Sequence, residues 1–141
     1  MNKQALIYSL KVWLTTIILG IRITGLIKLF IDPLIYKFED IFSSAIYDIP
    51  VGLIACAPSF FIFLFAVRRI CKRNTSVLLK KAILSAIGIL LSLIPFIILF
   101  PYQLFHTNYL PDMLPELCSY VGLTLVGIWV YKLPQNTLLP S

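Results

Sequence analysis

Four long apolar runs divide the chain: residues 5–31, 51–67, 82–104 and 116–131. About 20 apolar residues in helical conformation cross the hydrocarbon core of a bilayer, so each run predicts a transmembrane helix, the longer ones with some tilt. Prolines fall inside or beside these runs. Pro58 and Pro95 sit near the middle of the second and third, and Pro115 stands at the start of the fourth. A proline at the first helical position favours helix initiation, and Glu116 behind it suits the positive end of the helix dipole.

The stretch between the first two runs has a different pattern. Leu34, Ile35, Phe38, Ile41, Phe42, Ala45, Ile46 and Ile49 recur at helical spacing, while Lys37, Glu39, Asp40, Ser43, Ser44 and Asp48 occupy the other side. Asp32-Pro33 forms a natural helix start and Pro50 a stop. The expectation is a separate amphipathic helix over residues 33–48, lying in the membrane interface between the first and second spans. Its polar face leans acidic, so it fits the rim of a bundle or a partner better than anionic lipid.

The second and third runs are joined by residues 68–81, RRICKRNTSVLLKK, which hold six of the twelve basic residues and no acid. Short loops rich in Lys and Arg stay on the cytoplasmic side. With four spans, that choice puts both termini in the cytosol together with Lys3, Lys11 and Lys132, making nine of twelve basic residues inside. All six acids then fall outside.

Composition agrees with this layout and removes some classes of function. The 141 residues are 60% hydrophobic and 13% charged, with a mean hydropathy of +0.94. A soluble domain carries about a quarter charged residues, and a fold of this size cannot hide so much apolar surface from water. The net charge of +6 would draw nucleic acid to a soluble protein. Here the basic residues cluster at helix ends, where topology explains them, and no nucleic-acid partner is expected. Cys56, Cys71 and Cys118 are widely spaced, with no CxxC pair, so neither a disulfide framework nor a zinc site is implied. The first apolar run is too long for a cleaved signal and lacks a small-x-small site after it.

Three places offer chemistry. Arg22 falls near the middle of the first span, where a guanidinium is costly and must find acceptors or an anion. Asp32 lies ten residues on, about 15 Å along the helix. Pro58 and Pro95 free the carbonyls of Ile54 and Leu91, and Ser59 and Ser92 add hydroxyls beside them. Arg22, Ser59 and Ser92 therefore form a candidate site for an anion or lipid head group. Lys11, Thr15, Ile18, Arg22 and Gly25 share helical spacing and give the first helix one partly polar face. On the outer side, His106, Asp112 and Glu116 form a second group, able in principle to act as an acid–base pair. Their spacing matches no metal-ligand motif, and no metal or other cofactor is expected. The third place is the basic loop, which attracts the anionic inner leaflet.

No GxSxG, HExxH or phosphate-binding glycine loop occurs, so no catalytic residue is assigned. No internal repeat points to an inverted-repeat transporter. The expected fold is an all-α membrane protein, with four transmembrane helices in one bundle plus the interfacial helix, forming one integral-membrane domain over residues 1–141. Three functions fit. The first is an accessory or regulatory subunit that works by helix–helix contacts with a larger membrane complex. The second is a small oligomeric transporter or channel subunit using Arg22. The third is a membrane enzyme using His106, Asp112 and Glu116. The expected surroundings are the lipid bilayer (the cytoplasmic membrane in a bacterium) and a membrane-protein partner or further copies of the chain.

Overall fold

A computed structural model describes residues 3–31, 38–99 and 110–134; side chains are described outside 38–46, 99 and 110–112. Four helices account for nearly all of these residues: α1 Lys3–Ile31, α2 Phe38–Cys71, α3 Val77–Leu99 and α4 Leu110–Val130. There is no strand among the described residues. Each helix packs on its neighbour in chain order, and α4 closes back on α1 to complete a four-helix bundle. All four are long and apolar enough to cross a membrane, over Lys3–Ile31, Tyr47–Cys71, Val77–Ile98 and Met113–Val130.

The structure moves three boundaries. Where Pro50 implies a break between an interfacial helix and the second span, α2 runs unbroken for 34 residues with Pro50 and Pro58 inside it. An interior proline removes one backbone bond and kinks the helix, whereas ending it would leave a whole turn of carbonyls unpaired. The expected separate element over 33–48 is thus, from Phe38 on, the first part of α2, and residues 32–37 lie outside the described ones.

The basic loop is also shorter than 68–81. Only residues 72–76 separate α2 from α3, because Ser76 caps the next helix. Its Oγ accepts the Leu79 amide at 3.3 Å, and its carbonyl accepts the Lys80 amide at 3.1 Å. Lys80 and Lys81 therefore belong to the first turns of α3 and do not precede it. The last part of the expected third span, residues 100–104, lies outside the described residues.

The fourth helix begins at Leu110, so Pro115 is its sixth residue and not its first. At that depth a proline costs the helix one bond only, and its fixed φ is already helical.

The core is continuous from α1 to α4. Tyr8, Val67, Leu84 and Ile128 are almost wholly buried in it. Glycines bring the helices close at two points. A Cβ on Gly88 would stand 2.9 Å from Thr124 Cγ2, and one on Gly20 would stand 2.9 Å from the Tyr120 ring. Small residues at such crossings are how apolar helices pack where lipid offers no hydrophobic drive.

Candidate functional site

The close approach at Gly88 sets α3 and α4 so that Ser92 and Thr124 face each other. Beside them lies a cavity of about 60 Å³, to which all four helices contribute. Trp13 and Thr16 come from α1, Cys56, Ser59 and Phe60 from α2, Leu91, Ser92 and Pro95 from α3, and Tyr120 and Thr124 from α4. The Trp13 and Phe60 rings pack with centroids 4.8 Å apart, and Tyr120 meets Phe96 edge-on at 5.8 Å. The wall is aromatic and aliphatic; beside the phenol of Tyr120, each helix adds one aliphatic hydroxyl, from Thr16, Ser59, Ser92 and Thr124.

Those hydroxyls bond to backbone. Thr16, Ser92 and Thr124 each donate to the carbonyl four residues earlier in their own helix, at 2.9, 2.9 and 2.8 Å. Ser59 instead reaches across to α3 and donates to the Leu91 carbonyl at 3.0 Å. Pro95 is the reason this acceptor is open, since it has no amide to give Leu91. A buried carbonyl without a donor costs about 1–3 kcal/mol, so Ser59 repairs the defect that Pro95 creates. Thr124 Oγ1 also lies 3.3 Å from Thr16 and 3.4 Å from Ser92, so the hydroxyls of α1, α3 and α4 meet at this level.

Ser59 and Ser92, singled out with Arg22 from the sequence, thus share one cavity. Arg22 does not line it; it is half-buried on α1, about 9 Å along the axis from Thr16 at the helical rise. The face of α1 that enters the bundle is also not the one its charges mark. Lys11 and Ile18 are exposed, while Ser9, Thr16, Gly20 and Thr24 are buried. Thr16, Trp13, Cys56, Tyr120 and Thr124 went unmarked by the sequence reading. The available signal was the spacing Ser9, Thr16, Gly20, Thr24, small residues on one helix face.

Of the outer group, His106 lies outside the described residues, as does the side chain of Asp112. Glu116 pairs with Lys28, joining the end of α1 to the start of α4. At the opposite end of the bundle, Thr15 and Tyr131 hydroxyls meet at 2.7 Å, and Lys81 donates to the Trp129 carbonyl at 2.7 Å while lying over its ring. A lysine there satisfies a helix C-terminal carbonyl and its dipole together. Trp129 Nε1 in turn donates to Ser85 at 3.1 Å.

Chemically, the cavity wall is neutral. No carboxylate, ammonium, guanidinium or imidazole lines it among the described residues. Its hydroxyls have no imidazole or carboxylate beside them among the described lining residues. No cluster of three metal-ligating side chains exists among the described residues. No protein-family model, curated protein or solved structure matches the chain.

Proposed function

We propose that this chain is a small integral membrane protein that acts as an accessory or regulatory subunit, through contacts between the outer face of α2 and a helix of a membrane partner. The supporting observation is the different treatment of two prolines. The carbonyl freed by Pro95 is answered inside the bundle by Ser59. Pro58 withdraws the amide that helix geometry would offer the Ile54 carbonyl, and both Ile54 and Pro58 lie on the exposed face of α2. Hydrocarbon offers no donor at that place, whereas a partner helix bearing Ser, Thr or Asn does. The same face carries Val51, Ile54, Phe61 and Phe65, all more than half exposed and spaced as the seam of a helix pair. The partner is another membrane protein or a second copy of the chain.

The nine basic residues at the α2–α3 end and the termini support an orientation with that end in the cytosol. A cysteine placed at the exposed Asn74, with the native cysteines replaced, is expected to react with an impermeant reagent only after permeabilisation. Labelling in intact cells would reverse the orientation.

The docking face is tested by mass. In a mild detergent extract the native chain is expected to run as a discrete complex, and Phe61→Ala with Phe65→Ala to release it as a free bundle of unchanged stability. A native chain that is already free, or a complex indifferent to both changes, contradicts the proposal.

A further inference from the structure

Tyr47, Val51, Ile54, Pro58, Phe61 and Phe65 follow one another along the outer face of α2 at alternating steps of four and three, and all are exposed. That is the spacing of a seam between two packed helices. Arg69 and Lys72, also exposed, continue it into the basic end of the bundle. Two features of the seam call for a complement on the helix opposite. One is the Ile54 carbonyl, which Pro58 leaves without its backbone donor. The other is the pair of cations.

A second copy of the chain supplies neither complement. Two copies inserted the same way would pair α2 with α2 in parallel, each level against itself. Around Ile54 the seam holds Val51 and Pro58, and none of the three side chains donates a hydrogen bond. Tyr47 carries the seam's one hydroxyl, about 10 Å along the helix from Ile54, and a helical tyrosine leans toward the N-terminus, away from it. A head-to-tail contact fares no better. The exposed side chains described in the outer halves of α1, α3 and α4 are apolar apart from Cys118, whose thiol is a weak donor. Arg22 and Lys28 are part-buried and engaged within the chain. The cations repeat the outcome. All six acids fall in residues 32–48 and 112–116, which belong to the opposite ends of the spans. A parallel copy would therefore set Arg69 and Lys72 against their own equivalents, and like charges face to face oppose association.

We infer, building on the docking face proposed above, that its occupant is a spanning helix of a different polypeptide. That helix bears a hydroxyl or carboxamide side chain at the level of Ile54 and a carboxylate at the level of Arg69 and Lys72. The first donates to the open carbonyl, and the second pairs with the cations. The two levels lie about 22 Å apart along α2. The partner thus carries its donor in the outer third of its span and its acid at the inner end.

The test follows the full chain in mild detergent extracts of its native membrane, as two co-expressed copies with different affinity tags. Neither tag is expected to bring down the other. Arg69→Gln with Lys72→Gln removes two charges and leaves seven of the nine basic residues at that end to hold the orientation. This pair of changes is expected to weaken the complex about fivefold at low salt, an effect that fades in high salt. Pro58→Ala returns a backbone amide to Ile54 and is expected to weaken it about tenfold, because the partner's donor loses its acceptor. A second copy on this face predicts the opposite sign: the tags co-purify, and the glutamines strengthen the complex by removing like charges. That result would overturn the inference and leave the docking face in place. A complex of unlike chains indifferent to either change would overturn it as well. A native chain with no partner at all would remove the docking face itself, and the inference with it.

Discussion

The two faces of α2 meet the same chemical problem with different solutions. Inward, Ala55, Cys56, Ser59 and Phe63 are buried, and the one carbonyl that a proline opens nearby has a serine hydroxyl on it. Outward, Ile54, Pro58, Phe61 and Phe65 are exposed, and the carbonyl that Pro58 opens lies among apolar side chains. A proline in a spanning helix is tolerated where something restores the lost bond. The contrast separates a packed interface from the face proposed to meet a partner, and the predictions probe each side of it.

The largest effect belongs to the inner contact between α3 and α4. Gly88→Val would drive a branched side chain into Thr124 and Ile128, which already stand 2.9 and 3.1 Å from a mere Cβ. Overpacking of this kind costs about 3 kcal/mol, to be read from reversible denaturant unfolding in mild detergent. Gly122, with nothing within 4 Å of its Cβ position, is the control. Gly122→Ala is expected to be neutral or to gain about 0.5–1 kcal/mol from helix propensity. Equal losses at both glycines would mean that the close approach at Gly88 is not what holds the cavity wall together.

Next is the repair by Ser59. Ser59→Ala strands the Leu91 carbonyl and should cost about 1–2 kcal/mol. In a Pro95→Ala background the carbonyl regains its backbone donor, and the same change should cost less than about 0.5 kcal/mol. An identical loss in both backgrounds would show that Ser59 contributes by packing alone.

Much of this is legible in the amino-acid sequence. Four apolar runs of spanning length gave four helices, because length and hydropathy alone decide that question. The free carbonyl of Leu91 was legible too, since Pro95 announces it, but its partner was not: Arg22 stood as the expected donor, and Ser59 takes the place. Boundaries were less so. Pro50 and Pro115 are stop and start signals in isolation, yet tertiary packing carries α2 and α4 through them. Ser76 was a cap hidden behind a run of basic residues that drew the boundary to Lys81. The rotation of α1 is not legible from its charges, since Lys11 and Arg22 share helical spacing and yet Lys11 is exposed and Arg22 half-buried. The bundle buries the stripe of small residues through Thr16 and Gly20, and the long charged side chains keep to the flanks. Nothing in one sequence gives that rotation, which depends on which residues three other helices present.

A smaller effect is expected from Lys28 and Glu116, whose side chains remain about 30% and 24% exposed. Lys28→Gln should cost less than about 1 kcal/mol, and the difference should shrink further in high salt. Above about 2 kcal/mol, the pair would be a principal tie between α1 and α4 instead of a minor one.

The smallest effect on stability, and the largest on association, is expected on the outer face of α2. Truncating Phe61 or Phe65 leaves the isolated bundle within about 0.5 kcal/mol of native, as for any exposed site. The most direct measurement is photo-crosslinking in intact membranes, with benzoylphenylalanine placed at Phe61 and, for comparison, at the similarly exposed Ile98 of α3. The account predicts one protein adduct of discrete mass from position 61, lost when Phe65 is changed to alanine, and only lipid adducts from position 98. Lipid adducts alone from both positions would contradict it, leaving the outer face of α2 as bilayer-facing surface and no more.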